Sequence, residues 1–101
     1  MNLLYWLIFA LPLWQFNATQ IEIRSHVDNE TEILNVPVKI VAFENKICFI
    51  GQVTECYYIV EKHKNEYVLA NVSIVRVLEN RIIYNDEHEV AIFYKEKRFE
   101  N

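Results

Sequence analysis

Residues 46–62 read KICFIGQVTECYYIVEK. Two runs rich in β-branched and aromatic residues, KICFI and CYYIVEK, stand on either side of Gly51-Gln52. Such side chains fit a pleated surface better than a helix. Two short runs around a glycine-bearing link read as a β-hairpin. Folding residues 48–56 this way brings Cys48 opposite Cys56, within reach of disulfide geometry. These are the chain's only cysteines. In an oxidising compartment two cysteines of a small domain pair. The ring of about 9 residues would contribute roughly 2.5 kcal/mol by loop entropy. A redox pair would prefer Cys-x-x-Cys spacing. A zinc site needs histidines at ligand spacing, whereas His26, His63 and His88 stand singly, so no metal is expected. Pairing between chains, or a reduced and buried pair, are the remaining readings. A staple therefore depends on the compartment.

The period of two extends in both directions from this hairpin. QIEIRSH alternates Ile21 and Ile23 with Glu22 and Arg24. ILNVPVKIVAF places Val36, Val38, Ile40 and Ala42 on one face, and Pro37, which lacks a ladder donor, predicts a sheet edge. EYVLANVSIVRVL, RIIYN and HEVAIFYKEK complete the set. Six to seven strands after the first eighteen residues predict an all-β fold, a small antiparallel β-sandwich of immunoglobulin-like type or a small barrel. Asn45, Asn65, Asn80 and Asn85 separate apolar runs, as expected of a residue that tolerates left-handed backbone. Glu79-Asn80 reads as a tight hairpin. In the run 66–78, an outward Asn71 would put Val68, Ala70, Val72 and Ile74 in the core and Tyr67 in solvent. That phase would bury Arg76, so a bulge near Ile74-Val75 is expected to correct it.

Residues 1–18, MNLLYWLIFALPLWQFNA, contain no charged side chain. The apolar run from Leu3 to Leu13 suits a signal-peptide core and is shorter than the roughly 20 residues of a membrane span. The expected organisation is a signal segment over 1–18, cleaved after Ala18, then one domain over 19–101. Phe16 is bulky for its place before that cut. Two other readings are an uncleaved membrane anchor and a buried strand or helix of a cytosolic protein. Cleavage after Ala18 would remove both tryptophans, Trp6 and Trp14. Three sequons fit a secreted or ER-lumenal route. Cleavage splits Asn17-Ala18-Thr19, leaving Asn29 and Asn71 as glycosylation candidates.

The net charge is −4 and the pI about 5.3, against the basic surplus of a nucleic-acid binder. Lys95, Lys97 and Arg98 alternate with Glu96 and Glu100, so membrane contact is expected only through the leader. One glycine excludes a phosphate-cradling loop. Two aspartates and two serines assemble no nucleophile, base and oxyanion donors, and neither an enzyme nor a cofactor is expected. NDEHE around His88 and KHK around His63 read as solvated turns. Tyrosines favour interfaces. Tyr57, Tyr58 and Tyr67 are the candidates for binding a protein partner, with cross-strand packing as the alternative use.

The leader LLYWLIFALPLW, the short runs from Ile21 to Lys95 and the Cys48/Cys56 pair together resemble the small immunoglobulin-like accessory proteins of coronaviruses. The chain departs from them in having two cysteines and in lacking an apolar C-terminal span, and the immunoglobulin Cys–Trp–Cys signature is absent. The resemblance implies a nonstructural viral accessory protein that modulates the host. A small inhibitor or a carrier of an apolar ligand is the competing expectation.

Overall fold

A computed structural model describes residues 11–100. Ten strands stand among them: β1 (Trp14–Ala18), β2 (Gln20–Ser25), β3 (Thr31–Leu34), β4 (Val38–Ala42), β5 (Lys46–Ile50), β6 (Thr54–Lys62), β7 (Glu66–Leu69), β8 (Ile74–Val77), β9 (Arg81–Asn85) and β10 (Glu89–Tyr94). They form one antiparallel sheet, ordered β1-β4-β5-β6-β7-β8-β9-β10-β2-β3, curled into a half-barrel. The count exceeds the expected six to seven for three reasons. The run 66–78 makes two strands, the run ILNVPVKIVAF is divided around Pro37 between β3 and β4, and the tail of the apolar leader makes another.

Two long segments hold the curl. In β6, residues 54–58 pair with β5, while Ile59, Glu61 and Lys62 pair with β7. The register shifts between Ile59 and Glu61, and such an extra residue bends a strand. Trp14–Ser25 is interrupted only at Thr19, so its first half pairs with β4 and its second with β10 and β3. One stretch of chain thus ties together two distant parts of the sheet. Pro37 lies just before β4, which runs between β1 and β5 and is not an edge. Among the described residues the sheet edges are β1 and β3.

The core takes Ile21 of β2 and Ile40 and Ala42 of β4 as the alternation predicts, but Glu22 and Val41 on the opposite faces are also buried, and Val36 lies before β4 and is exposed. Ile21, Ile40 and Ala42 are buried, joined by Ile47, Leu69, Val75 and Ile82. Each fully buried aliphatic side chain contributes about 1.5–3 kcal/mol. In the first half of 66–78 the expected phase is reversed, with Tyr67 and Leu69 facing the core. In the second half Val75 faces the core and Arg76 faces solvent, as the expected bulge would have placed them, and Arg76 pairs with Glu66 at 3.1 Å. The reason is a turn at residues 70–73, where Val72 takes φ 66°. No bulge near Ile74-Val75 is needed, because β7 and β8 are two arms of a hairpin. Asn71 is exposed because it sits in that turn. The four asparagines expected in turns do lie at or beside them, but among the described residues only Asn29 and Val72 are non-glycine residues with positive φ. Leu78–Asn80 links β8 to β9 as a hairpin, closed by Leu78 N donating to Arg81 O.

Gln20, 0% exposed, clamps the C-terminal segment against β2. Its Oε1 accepts from the backbone N–H groups of Arg98 and Phe99, both at 2.8 Å. Its Nε2 donates to Asn35 Oδ1 at 2.7 Å and to Phe99 O at 2.8 Å. Beside it, buried Glu22 accepts from Tyr94 Oη at 2.7 Å and from Arg24 Nε at 2.8 Å. Burial opposes the ionisation of Glu22, but the Tyr94 hydroxyl and Arg24 outweigh it and hold the carboxyl below its usual range.

Candidate functional site

A cleft of about 420 Å³ opens where the inner faces of the two halves of the sheet meet. Phe49 of β5 is its hub. The ring stands edge-on to Tyr84 at 5.6 Å and to Tyr57 at 6.1 Å, and 5.5 Å from Phe93. Such tilted pairs add about 0.5–1.5 kcal/mol each beyond their burial. Period-two alternation on four strands aims these rings inward, and β2 adds Ile21 and Ile23.

The rim is acidic. Glu55, Asp86 and Glu89 line the cleft, and no Lys or Arg does. Tyr57 Oη donates to Glu55 Oε2 at 2.5 Å, and this bond, with burial second, raises the phenol well above its usual range. Asp86 Oδ1 accepts from the backbone N–H groups of His88 at 2.8 Å and Glu89 at 2.9 Å. Burial resists its ionisation, but those two N–H groups, the Tyr84 hydroxyl and nearby His88 together lower its pKa. Tyr84 Oη in turn accepts from Asn71 Nδ2 at 2.9 Å. The Tyr57 hydroxyl thus fixes the Glu55 carboxyl in place, and the backbone N–H groups of His88 and Glu89, with the Tyr84 hydroxyl, favour the ionised form of Asp86.

The three tyrosines singled out in the sequence separate. Tyr57 lies in the cleft. Tyr58, 64% exposed, points out beside exposed Val60. Tyr67, 7% exposed, is a core residue that accepts a hydrogen bond from Trp14 Nε1 at 3.2 Å and is not on the solvent face. Its large apolar ring is used for packing between β1 and β7.

Cys48 and Cys56 form a disulfide, their Cα atoms 4.0 Å apart and directly opposite in the β5–β6 register. Asn29 is exposed at the tip between β2 and β3. Asn71 is exposed, but its Oδ1 accepts from Ser73 Oγ at 2.5 Å and Ser73 is buried. His63 and His88 sit in turns, each beside a glutamate. Among the described residues no group of three His, Cys, Asp or Glu is placed to hold a metal ion, and no helix is long and apolar enough to cross a membrane.

Phe49, Tyr84, Phe93, Glu55 and Asp86 were not legible as a site, because they come from four separate stretches. The available signal was the turn residue Asp86 two positions after an alternating tyrosine. No family model, curated protein or solved structure matches the chain.

Proposed function

We propose that this chain is a non-enzymatic β-domain of the ER lumen or the secreted space that binds another protein, and that the cleft receives a basic side chain of that partner. The observation that carries the reading is an aromatic floor beneath three carboxylates with no cation among the lining residues. Ring faces and carboxylates both attract a cation. A guanidinium fits best, since it stacks on rings and bonds to carboxylates through a planar fork. The Cys48–Cys56 disulfide is compatible with an oxidising compartment. Neither the immunoglobulin-like sandwich nor the host-modulating accessory role implied by the resemblance contributes a residue to this site.

A second reading has its own support. A volume of about 420 Å³ lies within the range of small-molecule pockets, which favours a carrier of a small ligand. The carboxylate rim then requires that ligand to be a cation with an apolar body.

The test titrates the oxidised protein with a short arginine-containing peptide and with its citrulline counterpart, following cleft resonances by NMR. The arginine peptide is expected to shift Phe49, Tyr57 and Tyr84, to weaken with salt, and to lose roughly tenfold in affinity with Asp86→Asn or Glu55→Gln. Equal binding of the two peptides, or none, overturns the reading. Stronger binding of free phenethylamine than of the peptide selects the carrier.

A further inference from the structure

The apolar leader reads as a unit in the sequence, yet its last five residues are part of the sheet. β1 pairs with β4 through Trp14↔Ala42, Phe16↔Ile40 and Ala18↔Val38, with Gln15 and Asn17 between them. Trp14, Phe16 and Ala18 face the core, and Ala18 is 2% exposed. Trp14 reaches across to β7, its ring 6.2 Å from that of Tyr67. A cut after Ala18 would strip this strand away. It would leave one side of β4 unpaired and uncover Ile40 and Ala42, two of the most buried residues. Losing the half-buried Trp14–Tyr67 contact, a pairing strand and this cover together exceeds what a small domain tolerates.

We infer that residues 14–18 remain in the mature domain, and that Asn17 is thereby an N-glycosylation site. The inference rests on the lumenal or secreted compartment proposed above. With β1 retained, the sequon Asn17-Ala18-Thr19 stays whole. Asn17 is exposed, pointing outward between two inward-facing neighbours. Among the described residues it stands on an outermost strand of the sheet, with β4 as that strand's partner on one side. Open edges invite pairing with other chains, and a bulky polar group on one blocks that approach. Asn71 differs, since its side chain is committed to Tyr84 and Ser73.

The transfer is a substitution at carbon. Asn17 Nδ2 forms a bond to the anomeric carbon of a lipid-diphosphate oligosaccharide. The bond from that carbon to the diphosphate oxygen breaks, the lipid diphosphate leaves with the electron pair, and Nδ2 gives up one proton. The cell's lumenal oligosaccharide-transfer machinery supplies donor and catalyst.

The test expresses the full chain in animal cells and maps the product by mass spectrometry, before and after enzymatic deglycosylation, which leaves aspartate at each occupied position. Expected are an N-terminus at or before Trp14, a glycan at Asn17, and the loss of one glycan in Asn17→Gln without loss of folding. Tryptophan emission shifted to the blue by the packing of Trp14 is the accompanying signature in a chain that has lost Trp6. A mature N-terminus at Thr19 or later overturns the inference. So does a chain glycosylated at Asn29 but bare at Asn17, and in that case the compartment still stands. No glycan at any sequon together with two free thiols overturns the compartment itself, and the inference with it.

Discussion

Replacing Gln20 by alanine tests the clamp that holds the C-terminal segment to the half-barrel. The wild-type side chain makes four hydrogen bonds of 2.7–2.8 Å from a fully buried position. A buried intramolecular hydrogen bond contributes about 1 kcal/mol net, which sets a ceiling near 4 kcal/mol. The freed N–H groups of Arg98 and Phe99 regain water if the tail lifts away. The loss is then the docking of that tail: the Phe99 ring edge-on to Tyr94 at 5.9 Å and Arg98 over the same ring at 5.6 Å. Those two contacts are worth about 1–2 kcal/mol together. The expected destabilisation of Gln20→Ala is therefore about 2–4 kcal/mol. At roughly 4–8 °C per kcal/mol for a domain of this size, Tm falls by about 8–32 °C. Urea unfolding followed by tryptophan emission from Trp14 measures the free energy, and amide exchange at Arg98 and Phe99 reports the tail. Gln20→Glu keeps the oxygen that accepts from Arg98 N and Phe99 N but sets a second carboxylate oxygen against Phe99 O and Asn35 Oδ1. It should therefore be destabilised at neutral pH and partly recover on acidification, as the carboxyl becomes a donor. A Gln20→Ala protein within about 0.5 kcal/mol of wild type, with unchanged exchange at those amides, refutes the clamp; that is the usual range of an uncommitted surface position.

Three further outcomes follow from the geometry. Replacing Cys48 and Cys56 together by serine should cost about 2.5 kcal/mol in urea unfolding, the loop-entropy value for so short a ring, without changing the β5–β6 register. Val72→Asn should raise the urea midpoint by the equivalent of about 1 kcal/mol. Val72 holds φ 66° while 83% exposed, so backbone strain is relieved and no packing is lost. The pH dependence follows from Glu22, whose pKa in the fold lies below the ordinary 4.5. The unfolded chain binds the proton more readily than the folded one, so this stabilisation is complete above about pH 4.5 and is lost as pH falls through the depressed value. Acid unfolding of Glu22→Gln should therefore show a flatter limb below that pH, and an unchanged limb would remove Glu22 from the account.

Local chemistry was sufficient wherever the decisive residues are near neighbours in the chain. The period of two from Ile21 onward established an all-β fold, since alternation is a property of the strand itself. Cys48 and Cys56 could be paired from their spacing, because a hairpin of so few residues leaves little freedom of register. Glu79-Asn80 marked its hairpin for the same reason. What alternation does not carry is phase. In the run 66–78 the turn at 70–73 resets it, and Tyr67 went to the core while Arg76 went to solvent. Nor does it name a strand's neighbour. Trp14–Ala18 has the composition of a leader, and only the closing of the sheet shows that it completes β4 and packs on Tyr67. The cleft belongs to the same class, its four rings drawn from β5, β6, β9 and β10. So does the clamp, where Gln20 meets residues nearly eighty positions away. Such contacts are decided by which faces can be buried together once the whole sheet has curled, and no single stretch of sequence holds that information.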